Sequence, residues 1–146
     1  MSLTLTVGIP GAGKSYWVNE QLQKNPTTKV VSTDELRKEL TGVAQCDPRQ
    51  NDYIHNEARK RVKELLQKGY NVIVDSTNVD REEWDAYKAL CPSFFIAKVF
   101  DTSVEQAMAN QENRERKVPE FVVQAKYDAL QANKQYLTST FNLVIF

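Results

Sequence analysis

The stretch VGIPGAGKSYW, Val7 to Trp17, decides how the rest of the chain is read. Gly8, Gly13, Lys14 and Ser15 match G-x-x-x-x-G-K-[ST], a loop whose backbone N–H groups converge on nucleotide phosphates. The β-rich run LTLTV (Leu3–Val7) precedes it and the helical run KSYWVNEQLQK (Lys14–Lys24) follows, the context such a loop requires. Within it Gly8, Pro10, Gly11, Ala12 and Gly13 bring the backbone close to phosphate oxygens, and the helix opening near Lys14 adds its positive end. Lys14 is placed to reach the β- and γ-phosphates of ATP, and the Ser15 hydroxyl to ligate Mg2+. A merely structural glycine turn is the competing reading, and the flanking strand and helix argue against it.

Working outward, KVVS (Lys29–Ser32) reads as a second strand, and Asn25-Pro26 stops the helix before it. Ser32 with Glu35 makes a capping box that opens TDELRKEL, closed by Thr41-Gly42. DYIHNEARKRVKELLQKG carries Ile54, Ala58, Val62, Leu65 and Leu66 at helical spacing and stops at Gly69. NVIVD (Asn71–Asp75) is a buried strand, and Asp80 with Glu83 predicts a capped helix over REEWDAYKAL. FFIAKVFD (Phe94–Asp101) is the fourth strand, and Ser103 with Gln106 opens VEQAMANQ. After the charged run ENRERK and Pro119, EFVVQAKYDALQANKQYL predicts one long helix, and FNLVIF (Phe141–Phe146) a last strand. Five strands separated by helices predict an α/β fold with a five-stranded parallel sheet covered on both faces. No repeat or linker divides the chain, so residues 1–146 read as a single domain. In such sheets ligands bind beyond the carboxyl ends of the strands, here Gly8–Ser15, Thr33 and Asp34, Asp75–Asn78, and Asp101.

Composition narrows the partners. The chain has 146 residues, 41% hydrophobic and 26% charged, ordinary values for a globular domain. Nineteen basic residues balance nineteen acidic ones, so any nucleic-acid contact is a local pocket rather than a broad basic face. Cys46 and Cys91 lie far apart without a C-x-x-C, which indicates neither a disulfide framework nor a zinc site. The start MSLTLTVG lacks the basic region of a signal peptide, and no apolar run reaches membrane-spanning length. A cytoplasmic setting without membrane contact is the expectation.

Three further segments bear on what happens to the phosphate. Asp34 opens a helix beside the second strand, and Arg37, three residues on, shares its face. An acid that accepts a hydroxyl proton and a base that grips an acceptor anion make sense together. Equally, Asp34 suits the helix dipole and Arg37 a solvated pair with it. Asp75 ends a buried strand, where a carboxylate holds Mg2+ directly or through water; a turn acid is the alternative. Ser76, Thr77 and Asn78 offer hydrogen bonds to a substrate, though turn chemistry accounts for them as well. Arg114, Arg116 and Lys117 crowd between two helices, either as a basic lid over ATP or as a solvated helix end. His55, the only histidine, sits beside an apolar stripe and reads as a surface or boundary residue.

At these residues the chain resembles the phage-type polynucleotide 5′-hydroxyl kinase domain. GIPGAGKS, STDELR, VDSTN, VFD and NRERKVP stand in that family's order and spacing over nearly the whole chain. The resemblance implies a P-loop kinase fold with a small basic lid. Lys14 and Ser15 then match the ATP and Mg2+ residues, and Asp34 the general base for the acceptor 5′-hydroxyl. Arg37 matches the arginine on the acceptor's 3′-phosphate, Asp75 the essential aspartate of the D-x-x-N segment ending at Asn78, and Arg114 the lid arginine on the donor phosphates. Asn110 stands where the family often has a first lid arginine, which leaves the lid weaker or reliant on Arg116.

The resulting expectation is a kinase transferring the γ-phosphate of ATP, with Mg2+, to the 5′-hydroxyl end of DNA or RNA. Neither the phosphatase of phage enzymes nor the ligase of bacterial ones is expected in this chain, and its oligomeric state is left open. Two other readings remain. A small-molecule or tRNA-linked hydroxyl kinase would share the donor loop, since fold does not fix the acceptor. A nucleotide-binding regulatory module would have no use for an acceptor base.

Overall fold

In a computed structural model, which describes residues 1–42, 48–114 and 117–146, five parallel strands form one sheet in the order β2-β3-β1-β4-β5. These are β1 (Ser2–Val7), β2 (Lys29–Ser32), β3 (Val72–Asp75), β4 (Phe94–Val99) and β5 (Leu143–Ile145). The expected parallel sheet is therefore present, with each predicted strand within two residues of its observed ends. Along β1 Leu3, Leu5 and Val7 are fully buried in the larger core, and the alternate Thr4 and Thr6 are buried as well. Burial on both sides of one strand requires helices on both faces of the sheet.

The helices are α1 (Lys14–Lys24), α2 (Thr33–Thr41), α3 (Asn51–Gln67), α4 (Arg81–Lys88), α5 (Val104–Asn110), α6 (Glu120–Asn133) and α7 (Leu137–Thr140). Ser32 caps α2 by accepting the Glu35 N–H at 3.3 Å, and Gly42 closes it in a left-handed conformation, as the sequence predicts. Ile54, Ala58, Val62 and Leu66 of α3 line up at helical spacing and enter the main core with Trp84 and Tyr87 of α4.

Two local expectations fail. Asp80 sits at the N-cap of α4, but its side chain makes no capping hydrogen bond. The long C-terminal helix is also broken: α6 ends at Asn133, a 3-10 turn (Lys134–Tyr136) follows, and α7 begins at Leu137. The break coincides with a tertiary contact, in which the Asn133 amide donates to the Val79 carbonyl at 2.9 Å.

A second, smaller apolar cluster positions the functional end of the sheet. Ile9, Ala107 and Val123 are buried together, with Ala12, Val118 and Tyr127 packed against them. It ties the loop after β1 to α5 and α6. No helix among the described residues is long and apolar enough to cross a membrane.

Candidate functional site

The loop between β1 and α1 is held at both ends by the strands beside it. The Gly8 N–H donates to the Thr77 carbonyl at 2.9 Å, which joins the ends of β1 and β3. Gly11 and Gly13 have φ of +86° and +89°, a region that L side chains rarely adopt. At Gly11 the absent side chain also makes room, because a Cβ there would lie 2.4 Å from the Ala107 carbonyl oxygen of α5. The Asn110 amide, one helical turn on, donates to the Gly11 carbonyl at 2.8 Å and is itself held by Gln106 at 2.8 Å. Where the resemblance leads one to expect a first lid arginine, Asn110 instead makes a neutral contact with the loop.

The loop opens onto a cavity of about 670 Å³ lined on one side by Pro10–Ser15 and on the other by residues of α2, α3, α4 and α6. Lys14 folds back over its own loop and donates to the carbonyls of Gly8 at 3.0 Å and Ile9 at 2.7 Å. Burial lowers its ammonium to about 8, against the attraction of Asp75 and Asp34. The Ser15 hydroxyl donates to Asp75 Oδ2 at 3.0 Å. Burial raises the Asp75 carboxyl above its ordinary value, and the Ser15 hydrogen bond and Lys14 pull it back. Two oxygen ligands so close together suit a hard cation that takes its remaining ligands from phosphate and water. No group of three or more His, Cys, Asp or Glu occurs among the described residues to cage a metal without them.

Across the cavity, Arg37 donates to Asp34 Oδ1 at 2.9 Å and to Asn51 Oδ1 at 3.4 Å. The pair is asymmetric: the Arg37 side chain is 12% exposed and that of Asp34 56%. Arg37 is thus not a solvated helix arginine. Its Nε is buried and has no hydrogen-bond partner among the described residues. Thr33, buried beside Asp34, donates to the Ser76 hydroxyl at 3.0 Å and links α2 to the turn after β3. Arg114 lines the same cavity, whereas Arg116 lies outside the described residues. The buried Gln111 side chain accepts the Val118 N–H at 2.9 Å, joining the end of α5 to the residue before Pro119.

Three expected site residues do not reach the cavity: Gly8, whose N–H is taken by the Thr77 carbonyl, Asn78 and Asp101. Asn78 is 1% exposed; its amide donates to the Thr6 carbonyl at 2.8 Å, and its own carbonyl accepts the Trp84 indole N–H at 2.6 Å. Its positive φ of 45° belongs to this buried turn, so the substrate contact expected of it is replaced by a structural one. Asp101, at the end of β4, pairs with Lys134 at 3.0 Å and does not line the cavity.

Conversely, the cavity wall includes His55, Glu83 and Lys126, none of which sequence reasoning placed there. His55 is half-buried, and burial followed by the charges of Arg37, Arg59 and Lys126 lowers its pKa. Glu83 reads in the sequence as half of a capping box, but its Oε2 is buried without a partner among the described residues. The feature that points to it is the missing cap bond at Asp80, which belongs to the fold and leaves no trace in the sequence.

A family model described as an AAA domain matches residues 3–137. NEDD4-binding protein 2 from Homo sapiens is 33% identical over 89 residues, which are 60% of this chain and 5% of that protein. A chain of the Pnkp1/Rnl/Hen1 RNA repair complex superposes with a TM-score of 0.81 at 24% identity, over 92% of this chain and 45% of that one. A gluconokinase from Sinorhizobium meliloti 1021 superposes with a TM-score of 0.65 at 16% identity, over 99% and 81%. The chain therefore spans less than half the length of the human protein and of the repair-complex chain, which carry the matched unit within longer sequences. With 3–137 covered by one family model and the sheet shared with known kinases, the chain belongs to the AAA-domain family and has the P-loop kinase fold.

Proposed function

We propose that the chain is an ATP-dependent phosphotransferase whose acceptor is the 5′-hydroxyl end of a nucleic acid. The observation that carries the reading is the shared cavity. The phosphate loop lies on one side, and on the other stand a carboxylate and an arginine 2.9 Å apart. A nucleotide switch or simple hydrolase needs no such second wall.

In this reading the loop N–H groups and Arg114 hold the donor phosphates, and Ser15 and Asp75 hold Mg2+. A cation held by these two residues would supply charge neutralisation during phosphoryl transfer. Lys14 releases the Gly8 and Ile9 carbonyls and turns its ammonium to the phosphates. Asp34, on the exposed side of its pair, accepts the proton of the attacking hydroxyl. Arg37 keeps its buried guanidinium, with its free Nε, for an anion next to the reacting sugar. A 3′-phosphate supplies that anion at the end of a polynucleotide but not in a simple sugar.

The segments TDELR, VDSTN and RERKVP support a nucleic-acid acceptor over a small hydroxyl compound, and the likeness to a chain of an RNA repair complex agrees with it. The test is transfer of labelled phosphate from ATP to a panel of DNA ends, RNA ends, nucleosides and sugars. Labelling of polynucleotide 5′-hydroxyls is the expected result. Labelling confined to sugars would overturn the acceptor assignment, and nucleotide binding without any transfer would overturn the enzyme.

A further inference from the structure

Glu83 has no part in the chemistry above, yet it stands in the same cavity as Asp34 and Arg37. It is the third residue of α4, and its Oε2 has neither solvent nor a hydrogen-bond partner among the described residues. Leaving a carboxylate oxygen unpaired out of water is costly, and the nearby cations do not relieve it. Lys126 of α6 and Arg59 of α3 are close enough to draw its pKa down. Even so, Lys126 makes no hydrogen bond or ion pair among the described residues. Arg59 instead hydrogen-bonds Asn56. Tyr87, one turn along α4, also has a buried hydroxyl without a partner among the described residues. No fold requirement explains this arrangement, because the capping role that Glu83 would serve in the sequence is not used.

Resting on the proposed acceptor class, we infer that Glu83 is a specificity-determining residue that accepts a hydrogen bond from the acceptor nucleotide next to its reacting end. The donor is either the sugar 2′-hydroxyl or a base N–H, the two groups of a nucleotide that can satisfy a buried carboxylate oxygen. Lys126 flanks the same spot with a positive charge and keeps the carboxylate available. Burial, reinforced by Asp80 and Glu82 and opposed by Lys126 and Arg59, holds the Glu83 carboxyl at about 7 in the free protein. A donor from the substrate would favour its charged form.

The experiment is steady-state transfer with Glu83→Met and Glu83→Gln, using matched RNA and DNA ends with each terminal base. Glu83→Met is expected to raise acceptor KM by roughly ten- to a hundredfold, the worth of a hydrogen bond to a charged group. ATP KM should not change, and Glu83→Gln should recover part of the loss. An effect confined to RNA ends identifies the 2′-hydroxyl; an effect on both sugars that varies with the terminal base identifies the base edge. Melting provides a second readout: removing an unpaired buried carboxylate should raise Tm by on the order of a few degrees. Unchanged acceptor KM, or a Tm loss reproduced by Tyr87→Phe, would make Glu83 a structural residue and overturn the inference alone. A wild-type protein inactive on every nucleic-acid end would overturn the acceptor assignment together with it.

Discussion

Alanine at Gly11 and at Gly13 should be equally ordinary changes by sequence and very unequal ones in the folded protein. Both glycines have φ near +90°, so each substitution carries the left-handed strain of about 1–2 kcal/mol. Around Gly13 nothing lies within 4 Å of the added Cβ, so strain is the whole effect. At Gly11 the Cβ meets the Ala107 carbonyl oxygen at 2.4 Å and its Cα at 3.3 Å. These are backbone atoms of α5, and no rotamer change can withdraw them. Relief requires α5 to move off the loop, which breaks the Asn110–Gly11 hydrogen bond and loosens the Ile9–Ala107–Val123 cluster. Overpacking of this kind adds about 1–3 kcal/mol. Unfolding entropy of about 2.1 cal/mol/K per residue over 146 residues means that about 1 kcal/mol moves Tm by roughly 3 °C. Gly13→Ala should therefore lower Tm by roughly 3–6 °C and Gly11→Ala by roughly 6–15 °C, as read by circular dichroism. Equal shifts at the two positions would refute the contact between the loop and α5.

Three other predictions test the site. Asp34→Asn keeps the shape and removes the base, so kcat should fall by about 10² to 10⁴ while ATP affinity barely changes; a parallel loss of ATP affinity in equilibrium binding would move Asp34 to the donor side. Arg37→Ala should erase the preference for a nucleoside 3′-monophosphate over the free nucleoside, a ratio of kcat/KM values expected near ten to a hundred in wild type; an unchanged ratio would remove Arg37 from the acceptor. Bound phosphates should lift the Lys14 ammonium above the value of about 8 that burial gives it, so that ATP binding takes up a proton above pH 8 but not at pH 7. Affinity then weakens as pH rises through 8 to 10, and calorimetry in buffers of different ionisation heat that finds no uptake at pH 9 would contradict it.

What the sequence made legible was local. The loop glycines, the Ser32 cap and the Gly42 stop are backbone requirements written in neighbouring residues, and alternating or 3.6-period apolar positions reveal strands and helices directly. Asp34 and Arg37 were legible as a pair because three residues of helix bring them together. What stayed hidden depends on distant chain. Asn78 follows Asp75 in a turn that looks ready for a ligand, and only its contact with Thr6, 72 positions earlier, buries it. The break after Asn133 involves Val79, and the unused cap at Asp80 releases Glu83 for a cavity shared with α2, α3 and α6. His55 reads as a surface or boundary residue and Lys126 carries no signal at all, since nothing in their neighbours says what stands opposite.

The buried turn around Asn78 has a practical side. Trp84 has no solvent exposure, and its indole N–H is committed to the Asn78 carbonyl, while Trp17 stands on α1 in a T-shaped contact with Phe100. The protein thus contains two indoles in contrasting settings and no others. In a proton spectrum the Trp84 resonance is an internal gauge of whether the β3–α4 junction is intact, persisting in deuterated solvent as long as that junction stays shut. The Trp17 resonance gauges the helix that opens behind the loop. A substitution that silences activity but preserves the slow indole signal has altered chemistry rather than architecture, and one spectrum distinguishes the two.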